Sequence, residues 1–113
     1  MIAHIRPAQL HAWLTQAEPG NAPLVLDVRE PWELQTASVQ AQGFELVAIP
    51  MGSIPQQLQA LDPARPVACL CHHGARSLRV AAFLEQNGFD QVANITGGID
   101  AWSNELDPAV PRY

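Results

Sequence analysis

Pro66-Val67-Ala68-Cys69-Leu70-Cys71-His72-His73-Gly74-Ala75-Arg76-Ser77 is the stretch that decides how this chain is read. The apolar run up to Leu70 reads as a buried strand, and a helical pattern follows from Leu78 to Gln86. Between them a thiol, four residues and an arginine occupy a strand-to-helix junction. The backbone N–H groups of so short a loop can all turn inward, and the next helix adds its positive N-terminal end. Both favour a thiolate and a bound anion, so Cys71 is a candidate nucleophile and the expected chemistry is that of sulfur.

Outward from this stretch the same alternation repeats. Leu24 to Val28 reads as a short buried strand, apolar on consecutive positions as parallel strands are. Phe44 to Ile49 reads as a second strand closed by Pro50, and Val92 to Ile95 as another. Pro7 suits a first helical turn, with Leu10, Trp13, Leu14 and Ala17 at helical spacing and Pro19-Gly20-Asn21 as the stop. Short helices are expected at Pro31 to Leu34 and at Ile54 to Leu61, the second ended by Asp62-Pro63. The helix from about Arg76 to Asn87 stops at Gly88; a left-handed Gly88 lets Phe89 pack back on Leu84. Gly97-Gly98 opens a last helix through Trp102, and the tail from Asp107 reads as irregular. Strands and helices in this order imply βαβ units and an α/β fold with a parallel sheet covered on both faces. Functional groups in such sheets collect at the carboxyl ends of strands. Asp27-Val28-Arg29 follow one strand and Cys71 follows another, so the two segments can meet at one edge.

Composition narrows the function classes. At 113 residues the chain is read as a single domain spanning 1–113. Eleven acids face six bases, a net charge of −5, which argues against nucleic-acid binding. All six bases are arginine, so Schiff-base chemistry and a P-loop lysine are excluded. No apolar run reaches the ~18 residues of a membrane span, and the N-terminus lacks a signal-peptide pattern. A cytoplasmic location is expected, in keeping with two cysteines that cannot build a disulfide framework. A monomer without cofactor or metal completes the expectation.

Three pieces now stand in order: Asp27-Val28-Arg29-Glu30, the loop from Cys71 to Ser77, and Asn87-Gly88-Phe89 through Gly97-Gly98-Ile99-Asp100-Ala101-Trp102. Together they resemble a single-domain rhodanese, a sulfurtransferase. The resemblance implies a three-layer fold with a central parallel five-stranded sheet flanked by helices. It also implies a catalytic cysteine at Cys71 and a persulfide intermediate, cradled by His72, His73, Gly74, Ala75, Arg76 and Ser77. Thiosulfate or another sulfane-sulfur compound, small or protein-bound, would be the donor, and a thiol or cyanide the acceptor. The alternative is a persulfide carrier or docking module in a sulfur relay, with little turnover of small donors. Similar-looking phosphatases of the cell-division-cycle kind have five residues between cysteine and arginine; here there are four, His72 to Ala75. The smaller ring suits one sulfur atom above the cysteine better than a tetrahedral oxyanion. One departure stands out: Thr36 to Gly43 lacks the Gly-His-Ile stretch and glycine–alanine pair usual in rhodanese-like chains.

Each residue also has a plainer reading. Cys71 can be a buried structural thiol, and Cys69, inside an apolar strand, reads as core. His72 and His73 with the two cysteines make a weak metal pattern, because adjacent side chains on a tight loop diverge. They are otherwise donor-selecting groups or solvated loop residues. Arg76 is assigned to the site, with a first-turn surface arginine as the alternative. Asp27 and Arg29 are expected to brace the active loop through a charge-assisted hydrogen bond or ion pair. Trp13, Trp32 and Trp102 are expected to be core or half-buried.

Overall fold

Four consecutive buried positions in each of three strands give the sheet its centre. The computed structural model describes residues 2–16, 22–41 and 43–113. Strand β1 runs over Ile2–Ile5, β2 over Leu24–Asp27, β3 over Glu45–Ala48, β4 over Val67–Leu70 and β5 over Val92–Ile95. They form one five-stranded sheet in the order β1-β5-β4-β2-β3, and every pairing is parallel. Parallel neighbours need crossovers, which the helices supply. These are α1 (Leu10–Thr15), α2 (Pro31–Thr36), α3 (Ile54–Gln57), α4 (Ala75–Gln86) and α5 (Gly98–Glu105). The architecture is the expected α/β one, a central parallel five-stranded sheet flanked by helices.

Successive strand residues point to opposite faces, so the buried strands divide the core in two. Leu26, Val67, Cys69 and Val92 pack on one face against Ile54 of α3 and Val80, Ala81 and Leu84 of α4. Val25, Leu70 and Ile95 pack on the other against Leu10 and Leu14 of α1 and Ile99 and Trp102 of α5. Helix α4 ends as its glycine predicts. Gly88 has φ +92°, its N–H donates to Glu85 O at 3.3 Å, and the Phe89 N–H donates to Leu84 O at 3.1 Å. Those two bonds satisfy carbonyls that the helix leaves open.

Several expectations are corrected by packing. The first strand, β1, carries an exposed His4 and gives no local strand signal, yet it pairs with β5 in full register. The segment from Ile54 to Leu61 is not one helix. Pro55 sits in its first turn, α3 is four residues long, and a 3-10 turn at Leu58–Ala60 follows. The positions of Ala17 and of Pro19-Gly20-Asn21 lie outside the described residues. Trp102 is core and Trp13 half-buried, whereas Trp32 is 62% exposed. The inward position of α2 is held by Glu33 instead. No helix among the described residues is long and apolar enough to cross a membrane.

Leu84 joins the α4 core to the helix's closing turn and is fully buried. Leu84→Ala is expected to lower the unfolding free energy by about 2–5 kcal/mol. A shift of the urea midpoint at unchanged slope checks this.

Candidate active site

Strand β4 ends at Leu70 and α4 begins at Ala75, so Cys71 to Gly74 must turn the chain within four residues. Gly74 makes this possible by taking φ +111° at the helix N-cap, a conformation that a Cβ disfavours. The turn points donors at one sulfur. The Gly74 N–H donates to Cys71 Sγ at 3.0 Å and the Ser77 N–H at 3.4 Å, while the thiol donates to Ser77 Oγ at 3.3 Å. The sulfur therefore sits at the start of α4, where the helix leaves N–H groups without internal partners. Cys71 is 1% exposed.

The outer side of the loop is clamped by α5. The Ile99 N–H donates to Cys71 O at 2.8 Å and the Asp100 N–H to His72 O at 3.2 Å. Gly98 lets the helix come this close, since a methyl there would run into both carbonyl oxygens. Cys69 lies on the same sheet face as Cys71, fully buried, and burial, followed by its electrostatic interaction with Cys71, pushes its thiol up. It behaves as core.

Arg76 reaches back across the sheet edge. Its guanidinium makes a two-pronged pair with Glu33 of α2, at 2.6 and 2.8 Å. Glu33 Oε1 also accepts the Glu30 N–H at 3.0 Å, and Oε2 accepts the Tyr113 O–H at 2.7 Å. The Arg76 bond is the main cause that holds the Glu33 carboxyl down at about 2, against an ordinary 4.5; burial opposes it. The same pairing raises the Arg76 guanidinium further.

Asp27 and Arg29 pair with each other first. Arg29 Nε and Nη2 donate to the Asp27 carboxylate at 2.9 and 2.7 Å, both residues being buried. The remaining Arg29 nitrogen donates to Glu33 O at 3.3 Å and to Tyr113 Oη at 3.0 Å. The pair thus touches α2 and Tyr113, and meets the Cys71 loop through Glu33 and Arg76.

His72 and His73 do not diverge as the tight loop suggested. Their rings stack at 4.0 Å, and Tyr113 stacks on His72 at 3.9 Å. His72 Nε2 lies 2.7 Å from Tyr113 O, which fixes the second ring edge. Tyr113 draws the two histidines into one stack. Among the described residues no group of three or more His, Cys, Asp or Glu is placed to hold a metal.

Three participants were absent from the sequence reading. Glu33 is the partner of Arg76; its spacing from Glu30 announces a helix cap, and the structure forms that capping box. Asn94, a polar residue inside the otherwise apolar β5, bonds both Gly74 and Ser77. That interruption was the available signal. Tyr113 carries no local signal.

The comparisons agree with this fold. The Rhodanese-like domain family matches residues 7–105, and the chain belongs to that family. A sulfurtransferase of Allochromatium vinosum is 36% identical over 89 residues, 77% of this chain and 78% of its own. A chloroplastic Arabidopsis thaliana protein with rhodanese-like and PpiC domains is 34% identical over 99% of this chain, which spans only 38% of that relative. Among solved structures, a rhodanese-related protein of Thermoplasma volcanium superposes with TM-score 0.76 at 32% identity. That match covers 98% of this chain and 99% of the other.

Two outcomes follow from the site. Gly98→Ala is expected to displace the Cys71 loop, so that the buried Cys71 thiol reacts faster with an added thiol reagent while the protein still melts cooperatively. Glu33 has a folded pKa below its ordinary one, so its pairing stabilises in full above about pH 4.5 and fades as pH falls towards about 2. Melting curves of wild type and Glu33→Gln should separate above that window and converge below it.

Proposed function

We propose that this protein is a sulfurtransferase that carries sulfane sulfur on Cys71. The observation that supports it most is the sulfur's setting: a buried Sγ facing the Gly74 and Ser77 N–H groups at the head of α4. Such donors stabilise a thiolate and, after transfer, the charge on a persulfide. Arg76, oriented by Glu33, adds positive charge near the same point.

In the first half-reaction the Cys71 thiolate attacks the outer sulfur of a donor such as thiosulfate. A new S–S bond forms, the donor's S–S bond breaks, and sulfite leaves with the electron pair. In the second, a thiolate or cyanide attacks the outer sulfur, and Cys71 leaves as the thiolate. Each half-reaction conserves electrons without a cofactor, and the pair predicts ping-pong kinetics. Asp27, Arg29 and Glu33 hold Arg76; Gly74, Ala75 and Ser77 build the cradle; His72 and His73 stand at its rim.

The depth of Cys71 favours a second reading of the same site. A persulfide projects its outer sulfur about 2 Å beyond Sγ, so a protein acceptor can take that sulfur without touching Sγ, while loading needs a donor sulfur presented to Sγ itself. In that reading the protein is a persulfide carrier with slow turnover of small donors.

Incubation with thiosulfate and cyanide should yield thiocyanate, and the intact protein should gain the mass of one sulfur atom. Cys71→Ser should lose both while melting as wild type; a variant that still gains the mass overturns the proposal. Labelling by a protein persulfide donor with negligible thiocyanate formation selects the carrier.

A further inference from the structure

Asn94 is the polar break in β5, whose other members Val92, Ala93 and Ile95 are all core. It is 4% exposed and projects to the α4 side of the sheet, where Ser77 lies. A buried amide without partners is costly, and this one uses both ends. Its Nδ2 donates to Gly74 O at 3.2 Å, and its Oδ1 accepts the Ser77 O–H at 2.5 Å. The same Ser77 Oγ is 3.3 Å from Cys71 Sγ and accepts the thiol proton. Ser77 has one proton and therefore one strong donation to make at a time.

We propose that Asn94 is a positioning residue that acts on Cys71 through Ser77, holding the Ser77 proton while the sulfur is uncharged and yielding it when the sulfur is anionic. The inference rests on the reading of Cys71 as the sulfur carrier. With an uncharged Sγ, as thiol or as the inner sulfur of a persulfide, the Ser77 O–H points at Asn94 Oδ1, its nearer acceptor at 2.5 Å against 3.2 Å for Gly74 O. When charge appears on Sγ, rotation about one C–O bond turns that O–H to the sulfur, and a charge-assisted bond forms. The Asn94–Gly74 bond keeps the amide in place meanwhile. No heavy atom has to move.

Asn94 thereby favours the uncharged sulfur, in opposition to the Gly74 and Ser77 N–H groups. The charged and titratable groups around the thiol are Arg76 of α4 with its Glu33 partner from α2, and Cys69 of β4. The Asp27–Arg29 pair stands at the end of β2, His72 and His73 lie in the loop, and Asp100 lies at the start of α5. None of them contacts the Ser77 hydroxyl among the hydrogen bonds of the described residues, so Ser77 is the route by which Asn94 can move a proton at the thiol, while its other bond, to Gly74 O, holds the loop whose N–H meets Sγ. Sulfur transfer uses both states: Sγ is a charged nucleophile, then an uncharged inner sulfur, then a charged leaving group. A proton that follows this cycle without side-chain rearrangement suits it.

The test is a thiolate titration by ultraviolet absorbance, which needs neither donor nor acceptor. Cys69 stays silent because burial pushes its thiol up, and Cys71→Ser supplies the blank. Asn94→Leu is nearly isosteric and fits an apolar strand. It should raise the thiolate-to-thiol ratio about fivefold at a given pH, the worth of one neutral hydrogen bond. Ser77→Ala should move the midpoint the other way, and Asn94→Leu should add nothing in the Ser77→Ala background. Should the leucine variant not fold, Asn94→Ala is read by the same criteria. An unchanged or upward midpoint, or an undiminished shift without Ser77, overturns the proposal. Loss of sulfur labelling is a separate readout and tests the Cys71 assignment alone.

Discussion

Two carbonyl groups that point away from the sulfur govern this site. Cys71 O and His72 O are held by the first free N–H groups of α5, and that contact exists because Gly98 has no side chain. A peptide plane whose carbonyl is fixed outward leaves the next N–H facing the other way. The clamp therefore sets the direction of the His72 and His73 N–H groups, and the Gly74 N–H, one peptide further on, donates to Sγ. The helix that supplies the clamp is anchored on the opposite sheet face by Ile99 and Trp102. Core packing on one side of the sheet thus fixes the cradle whose helix, α4, packs on the other.

The charged network follows from the same geometry. Arg76 leaves the cradle on the α2 side, and burying its partner Glu33 requires that every carboxylate lone pair be used. Arg76, the Glu30 N–H and Tyr113 use them. Arg29, fully buried, is neutralised by Asp27 and spends its last nitrogen on Glu33 O and Tyr113. Removing one member leaves a buried charge without its counterpart, which costs far more than the net worth of the pair. The network is better understood as fixing the direction of Arg76 than as a source of stability.

Legibility in the sequence tracked how local each constraint is. Strands β2, β4 and β5 were readable because all four residues of each are buried, which makes them apolar apart from Asp27 and Asn94. The loop and α4 were readable from Cys71, Gly74 and Gly88, each of which answers a backbone demand within a few residues. Strand β1 was not, because it is an edge strand with an exposed His4 and its partner β5 lies far along the chain. Glu33 hid behind its helix-capping spacing, and only the fold brings it across 43 positions to Arg76. Trp32 misled for the related reason that α2 buries a carboxylate and leaves its aromatic outside. Asn94 could have been found, since an amide in a fully buried strand demands partners.

The rim of the site is where this chain departs from its family's sequence pattern, and the structure gives that departure a physical form. The segment after α2 lacks the histidine usual there, while His72, His73 and Tyr113 form a continuous stack beside the loop and Trp32 meets Tyr113 edge-on at 6.2 Å. His72 makes both face contacts, one with His73 and one with Tyr113. Tyr113 ties that stack to the charge network through Arg29 and Glu33. Displacing the Tyr113 ring therefore takes a hydrogen bond from Glu33, the carboxylate that orients Arg76. Trp32, Tyr113, Glu33 and Arg76 are thus one connected set of contacts running from the exposed surface to the start of α4.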